Sequence, residues 1–232
     1  MGVTGGNLMG DITTGLIGHW KFDGDVTDSS GAGRHGTFNG GTPTYVTGKI
    51  GQGLLFDHVD DEVDITNYNP NGADFSCGGW MEMISNTSSD TEPLFGNAQD
   101  TPTLGYSAGS QVIRTFIQGA AGEQTISWST GGNLSGTGWR HIFLVARDTT
   151  NNEVEAFLDG VSLGSQSLTQ SYTHANGAIS KIGRDFGSTF RGNLDDMRLY
   201  SRALAAADVL DLYNLGSPPA VSMAANYYYG MI

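Results

Sequence analysis

The chain has little of several things, and each shortage excludes something. Cys77 is the single cysteine among 232 residues. No intrachain disulfide can form, so a hydrophobic core must hold the fold. Basic residues number 11 against 24 acids, a net charge of −13. With no Lys/Arg cluster there is no face to neutralise a phosphate backbone, which argues against a nucleic-acid partner. No apolar run reaches membrane-spanning length. The N-terminal residues lack the basic and apolar regions of a secretory signal, so none is expected. Proline is scarce, at 6 residues, while glycine is abundant, at 35. Without a period of three, that composition fits many short strands joined by tight turns.

The strands themselves are visible as short alternating or apolar runs. Residues 16–23 (LIGHWKFD) read as a first strand ending in an acid. Residues 45–56 read as two short strands around a glycine turn, and Val63 and Ile65 alternate with acids in the next. Further strands are expected at 75–83, 94–96, 112–117 and 125–128. Residues 139–147 (WRHIFLVAR) are apolar on both faces, which predicts a central strand. Residues 153–158 and 161–163 flank Asp159-Gly160, the preferred pair for a two-residue hairpin turn. A strand at 179–182 precedes the last one, residues 192–200, which runs into a short helix over 205–213. About a dozen strands and one helix predict an all-β fold, an antiparallel two-sheet jelly-roll β-sandwich with one short C-terminal helix. Residues 15–215 form that domain, residues 1–14 are an N-terminal arm, and residues 216–232 are a tail. The tail ends in an apolar, aromatic stretch containing Tyr227, Tyr228 and Tyr229, which is awkward in water and predicts docking on a neighbour.

The last strand carries an oddity. Strict alternation puts Asp195 on one face with Met197 and Leu199, which mark the buried side. A buried carboxylate needs hydrogen-bond donors or a cation. Backbone N–H groups, Arg184 or Arg191 could serve as well as a metal.

Four segments, residues 16–38, 45–57, 138–164 and 182–214, taken together in their order and spacing, resemble the concanavalin A-like, laminin-G-like (LamG) jelly-roll modules. The resemblance covers roughly residues 15–215. It implies two packed, curved antiparallel sheets, a frequent structural calcium and frequent glycan binding. It further implies that Asp23 and Asp195 supply carboxylate ligands to Ca2+, with Asp28 as a weaker candidate and backbone carbonyls completing the shell. Oxygen-rich sites at loop ends suit this hard cation. Modules of this kind occur in secreted bacterial proteins and in phage virion proteins.

Several motifs point elsewhere and fail on context. Residues 31–36 fit G-x-G-x-x-G, but the glycine-rich residues after them cannot open the helix a phosphate cradle needs. Residues 105–109 fit the G-x-S-x-G elbow, but a strand comes next rather than a helix, so a glycine-rich hairpin turn is expected there. Glu62 and Asp64 share a strand face in the manner of a laminarinase-type glycosidase. Thr66 and Asn67 stand where the second acid belongs, and an amide cannot donate and reclaim a proton. The five histidines are scattered, with no paired ligand spacing, and His141 is expected to be a satisfied core or edge residue.

These observations predict a protein that is not an enzyme. It is expected to be a structural or adhesive subunit of a larger assembly, a phage virion surface protein such as a capsid decoration or fibre component. Its partners would be other virion proteins or further copies of itself. The alternative is a carbohydrate-binding module at a bacterial surface or in a secreted system, with Tyr68, Tyr106, Trp128 and Tyr172 as stacking candidates whose default place is the core.

Overall fold

The computed structural model describes residues 11–84, 90–97, 103–119, 122–149, 151–169, 179–185 and 187–217. Fifteen strands lie in them: β1 (Leu16–Trp20), β2 (Thr37–Asn39), β3 (Thr44–Thr47), β4 (Gln52–Asp57), β5 (Glu62–Tyr68), β6 (Phe75–Met83), β7 (Glu92–Gly96), β8 (Thr103–Ser107), β9 (Val112–Gly119), β10 (Gly122–Ser129), β11 (Arg140–Arg147), β12 (Glu153–Leu158), β13 (Val161–Ser167), β14 (Ile179–Ile182) and β15 (Arg191–Tyr200). One helix comes after them, α1 (Ala206–Gly216). It starts and ends later than its sequence pattern indicates. Asp208 reaches back to accept the Ala205 N–H at 3.1 Å, which fixes the start.

Two antiparallel sheets form the predicted sandwich. One runs β13-β12-β11-β6-β15-β4-β3, and β1 pairs with β15 beside β4. The other runs β10-β9-β8-β7-β14-β5-β2. Strand β8 is longer and more regular than a glycine-rich turn. Its residues Thr103–Ser107 pair with β9, so the bend comes after Ser107 rather than at Gly105. Between the sheets, Phe75, Cys77, Met81 and Met83 of β6 meet Leu104, Ile113, Ile117, Ile179 and Ile182. Burial raises the Cys77 thiol pKa far above its ordinary range, so the residue is an inert hydrophobe.

Strand β11 is central and buried on both faces, as its composition indicates. Ile142, Leu144 and Ala146 face the main core. Phe143 and Val145 face a second cluster with Phe157, Tyr200, Leu204, Val209 and Leu212, which is the packing surface of α1. At Asp159 and Gly160 φ is +51° and +76°, the two positive values a type I′ turn requires.

Two devices close the sandwich at its margins. Edge strands β10 and β13 are joined by side chains: Trp128 Nε1 donates to the Gly164 carbonyl at 2.8 Å and Gln166 Nε2 to that of Ser127 at 2.8 Å. The two ends of the domain are clasped as well. Ser201 N–H donates to Gly15 at 2.8 Å, Arg202 Nε to Thr14 at 2.7 Å, and Tyr200 OH to Ile12 at 3.0 Å. Residues 11–14, read from sequence as arm, therefore pack on the domain, with Ile12 against the second cluster. Tyr227, Tyr228 and Tyr229 lie outside the described residues. Among the described residues no helix is long and apolar enough to cross a membrane.

Candidate functional site

Strand β15 has one partner along one edge and two along the other. β6 pairs with it from Gly192 to Tyr200. On its other edge β4 pairs with Arg191–Leu194 and β1 with Met197–Tyr200. Where the partner changes, β15 bulges. Its register against β6 slips between Asp195 and Arg198, and Asp196 takes φ +49°. An extra residue in a strand moves the residues beyond it to the other face. Leu194, Met197 and Leu199 all lie in the core, whereas Asp195 stands opposite Trp80, which stacks on Tyr213 of α1. The expectation from strict alternation is thus reversed: Asp195 projects from the outer face of the sheet.

Burial there is nonetheless complete, with Asp195 at 0 % exposure. Its Oδ2 accepts the Ile50 N–H at 2.8 Å, from the turn between β3 and β4. Its Oδ1 is buried with no partner. Desolvation raises the carboxyl to about 7. Neither Arg184 nor Arg191 pairs with it through a side chain: Arg184 binds Glu62, and the Arg191 N–H binds Glu92.

Asp196, its neighbour, is handled in the opposite way. His19 Nε2 lies 2.5 Å from Oδ1, and Arg198 clamps both oxygens at 3.0 and 3.1 Å. Burial works against the charge, but the His19 hydrogen bond and the Arg198 guanidinium hold this carboxyl below its usual range. An ionised carboxylate only accepts, so His19 carries its proton on Nε2. All three side chains are at least nine-tenths buried.

A cavity of about 330 Å³ opens over this group. It is lined by His19, Lys21, Asp23, Ile50, Asp196, Arg198 and Leu215, which come from β1 and the residues after it, the 48–51 turn, β15 and the end of α1. Between Lys21 and Asp23 sits Phe22, buried and with φ +59°. A buried aromatic residue in the left-handed region is strained by roughly 1–3 kcal/mol. It is the anchor that turns both neighbours toward the cavity.

The three acids implied as calcium ligands are arranged unequally. Asp23 Oδ1 accepts the Gln52 N–H at 2.8 Å, so Asp23 and Asp195 reach the same turn from two sides. The Asp195 oxygen without a hydrogen-bond partner is the kind of donor a hard cation takes. Asp28 has no such oxygen. His19 N–H, Ser30 N–H, Ser30 OH and Arg34 N–H fill its two oxygens, and it serves to fold the loop after β1. Among the described residues, the one trio of potential ligand atoms within 4.8 Å of one another is Asp57, Asp60 and Asp61, all in one turn.

The rejected motifs also find their places. Glu62 and Asp64 both bind Lys181 Nζ, at 2.7 and 2.5 Å. A pair held by one ammonium is a structural ion pair, not an acid and a nucleophile flanking a bond. His141 is buried, but its Nδ1 has no partner, so it is not the satisfied histidine expected. Tyr106 and Trp128 are core residues, Tyr68 carries the Arg34 guanidinium at 5.6 Å, and Tyr172 lies outside the described residues. The sequence reading missed His19, Lys21, Asp196 and Arg198 as a group. Its only signal was the doubled acid Asp195-Asp196 in an apolar strand, which two-residue alternation cannot accommodate.

Comparison with known proteins agrees with the architecture. Residues 57–210, well over half of the chain, match the family Laminin_G_3, described as the concanavalin A-like lectin/glucanases superfamily. No curated protein matches the sequence. Among solved structures, one similar chain is domain 4 of AbnA, an extracellular GH43 arabinanase from Geobacillus stearothermophilus, in complex with arabinotriose. It is 22% identical with a TM-score of 0.67, over 85% of this chain and 98% of that one. The binding domain of Paraclostridial Mosquitocidal Protein 1 is 16% identical with a TM-score of 0.69, over 88% of this chain and 53% of that one. The binding domain of botulinum neurotoxin DC, in complex with SialylT, is 15% identical with a TM-score of 0.68, over 88% and 52%. The chain therefore spans about half the length of the toxin binding domains, and at these identities the likeness is one of fold.

Proposed function

Because the chain belongs to the concanavalin A-like lectin/glucanases superfamily, we propose that it is a non-catalytic, carbohydrate-binding module. The observation that carries this reading is the cavity over β15. It is a concave site with a mostly charged lining and two apolar residues, Ile50 and Leu215, and its volume is that of a small-ligand pocket. At its floor Asp196 is committed to His19 and Arg198, so that carboxylate is not free to act as an acid or base. The arabinotriose complex of the arabinanase domain and the SialylT complex of the toxin domain support a glycan as the class of ligand. In the same reading, Asp195 and Asp23 hold a structural Ca2+ against the 48–51 turn. The module is displayed as an adhesive subunit of a larger assembly such as a virion surface, with the tail, residues 216–232, as its docking segment.

The test is a glycan array read together with a reducing-end assay on every bound glycan. Binding without turnover is expected; turnover would overturn the non-catalytic reading, and a blank array the glycan reading. Melting the same protein with a chelator tests the ion. Wild type should lose several degrees in Tm and Asp195→Asn should lose none. A wild type indifferent to the chelator would remove the metal.

A further inference from the structure

We infer that the glycan bound in the cavity over β15 is an acidic one, and that the ammonium of Lys21 holds the negatively charged group of its sugar. This rests on the carbohydrate-binding reading above and names the class of sugar.

The basic side chains single out Lys21. Most of the 11 in the chain have a partner: Lys181 and Arg184 share Glu62, Arg202 pairs with Asp208, and Lys49 lies over the Trp80 ring. Among the described residues the side chains of Lys21 and Arg191 make no ion pair or hydrogen bond, and of these two only Lys21 lines the cavity. The other lining charges are engaged. At the floor, Asp196 receives His19 and cancels the Arg198 guanidinium in a two-pronged clamp. Asp23 stands two residues from Lys21, on the far side of the buried Phe22, and forms no ion pair with it. Its Oδ1 accepts the Gln52 N–H and lies against Gly51, and in the reading above this carboxylate holds the ion. The exposed Lys21 ammonium is thus the one lining charge without a described partner.

An ammonium has three N–H donors and no acceptor. Its strongest partner is an anion, because a charge-assisted hydrogen bond is about twice as strong as a neutral one. A sugar carboxylate or sulfate ester supplies that anion, while Ile50 and Leu215 in the same lining take the C–H face of the ring. Acids elsewhere on the surface weigh less. Exposed charges more than about 8 Å apart are largely screened at physiological salt, so the lining itself outweighs the net charge of −13.

The experiment uses the full chain in buffer containing calcium. It is titrated with matched oligosaccharides that are neutral, that carry a sialic or uronic acid, or that carry a sulfate ester. Wild type should bind an acidic set roughly tenfold more tightly than the neutral set, and raising the salt should narrow that preference. Lys21→Gln, at an exposed position, should lose the preference, and Lys21→Arg should keep it. Arg191→Gln removes the other unpaired cation, outside the lining, and should bind within about twofold of wild type. Equal or tighter binding of the neutral set, a Lys21→Gln variant that still prefers acidic glycans, or an equal loss in Arg191→Gln would sink the inference while leaving the glycan reading intact. Binding of none of the panel would overturn the glycan reading, and the inference with it.

Discussion

His141 shows how far surroundings can change a side chain. It is stacked against Phe143 and tilted against Trp80 and Tyr213, with its Nδ1 unpaired. Desolvation lowers its pKa from 6.5 to about 4. That direction sets the sign of its effect on stability. The unfolded chain takes up a proton first, so the contribution is intact above pH 6.5 and is lost as pH falls toward 4. Its size is on the order of 3 kcal/mol. His141→Phe keeps the ring stack, removes the titration and relieves an orphaned polar atom. Urea denaturation at pH 7 and pH 4.5 should show unchanged or higher stability at pH 7 and a smaller acid loss than wild type. An identical acid loss would mean that His141 does not titrate between the two states. Asp195 and Asp196 make the complementary point, since adjacent identical residues end with opposite shifts because one has Arg198 and His19 and the other has neither.

Among the elements, most strands were legible because their burial obeys two-residue alternation or a two-sided apolar run. β6 and β11 are clear cases. The short β2 and the glycine-bearing β8 were not, because three residues give no period and glycine has no side chain to reveal a face. β15 was legible as a strand and misread as a surface. Its bulge depends on β4 ending and β1 beginning along one edge, a fact of topology and not of local sequence. The cavity was illegible for the same reason, since residues 19–23 and 50 reach it from the opposite end of the sequence to residues 196–215. The tightness of this strand can be measured. Gly192 has φ +140°, and a Cβ there would stand 2.2 Å from the Glu82 carbonyl oxygen in β6. Gly192→Ala should cost about 2–4 kcal/mol through strain and overpacking. Gly132→Ala, with open space around it, should stay within about 0.5 kcal/mol of wild type. Equal midpoints in urea for the two variants would contradict this packing.

At the scale of the whole molecule, the clasp joins residues 12–15 to residues 200–202 through described residues alone. Deleting residues 218–232 should therefore leave the melting transition within a degree or two of wild type, and abolish assembly if the arm docks. A large drop in Tm would show that the tail completes the fold, and assembly unaffected by the deletion would remove it as the docking arm. The position of β15 has a further consequence, in time rather than in space. Of the described strands this one is the last to be synthesised, yet β6, β4 and β1 all pair with it. Until about Tyr200 has left the ribosome, those three strands lack their shared neighbour and their edges stand open. Such long-range pairing folds late and is exposed to aggregation while it waits. A nascent chain stopped before β15 would carry nearly every strand of this module and almost none of its resistance to protease.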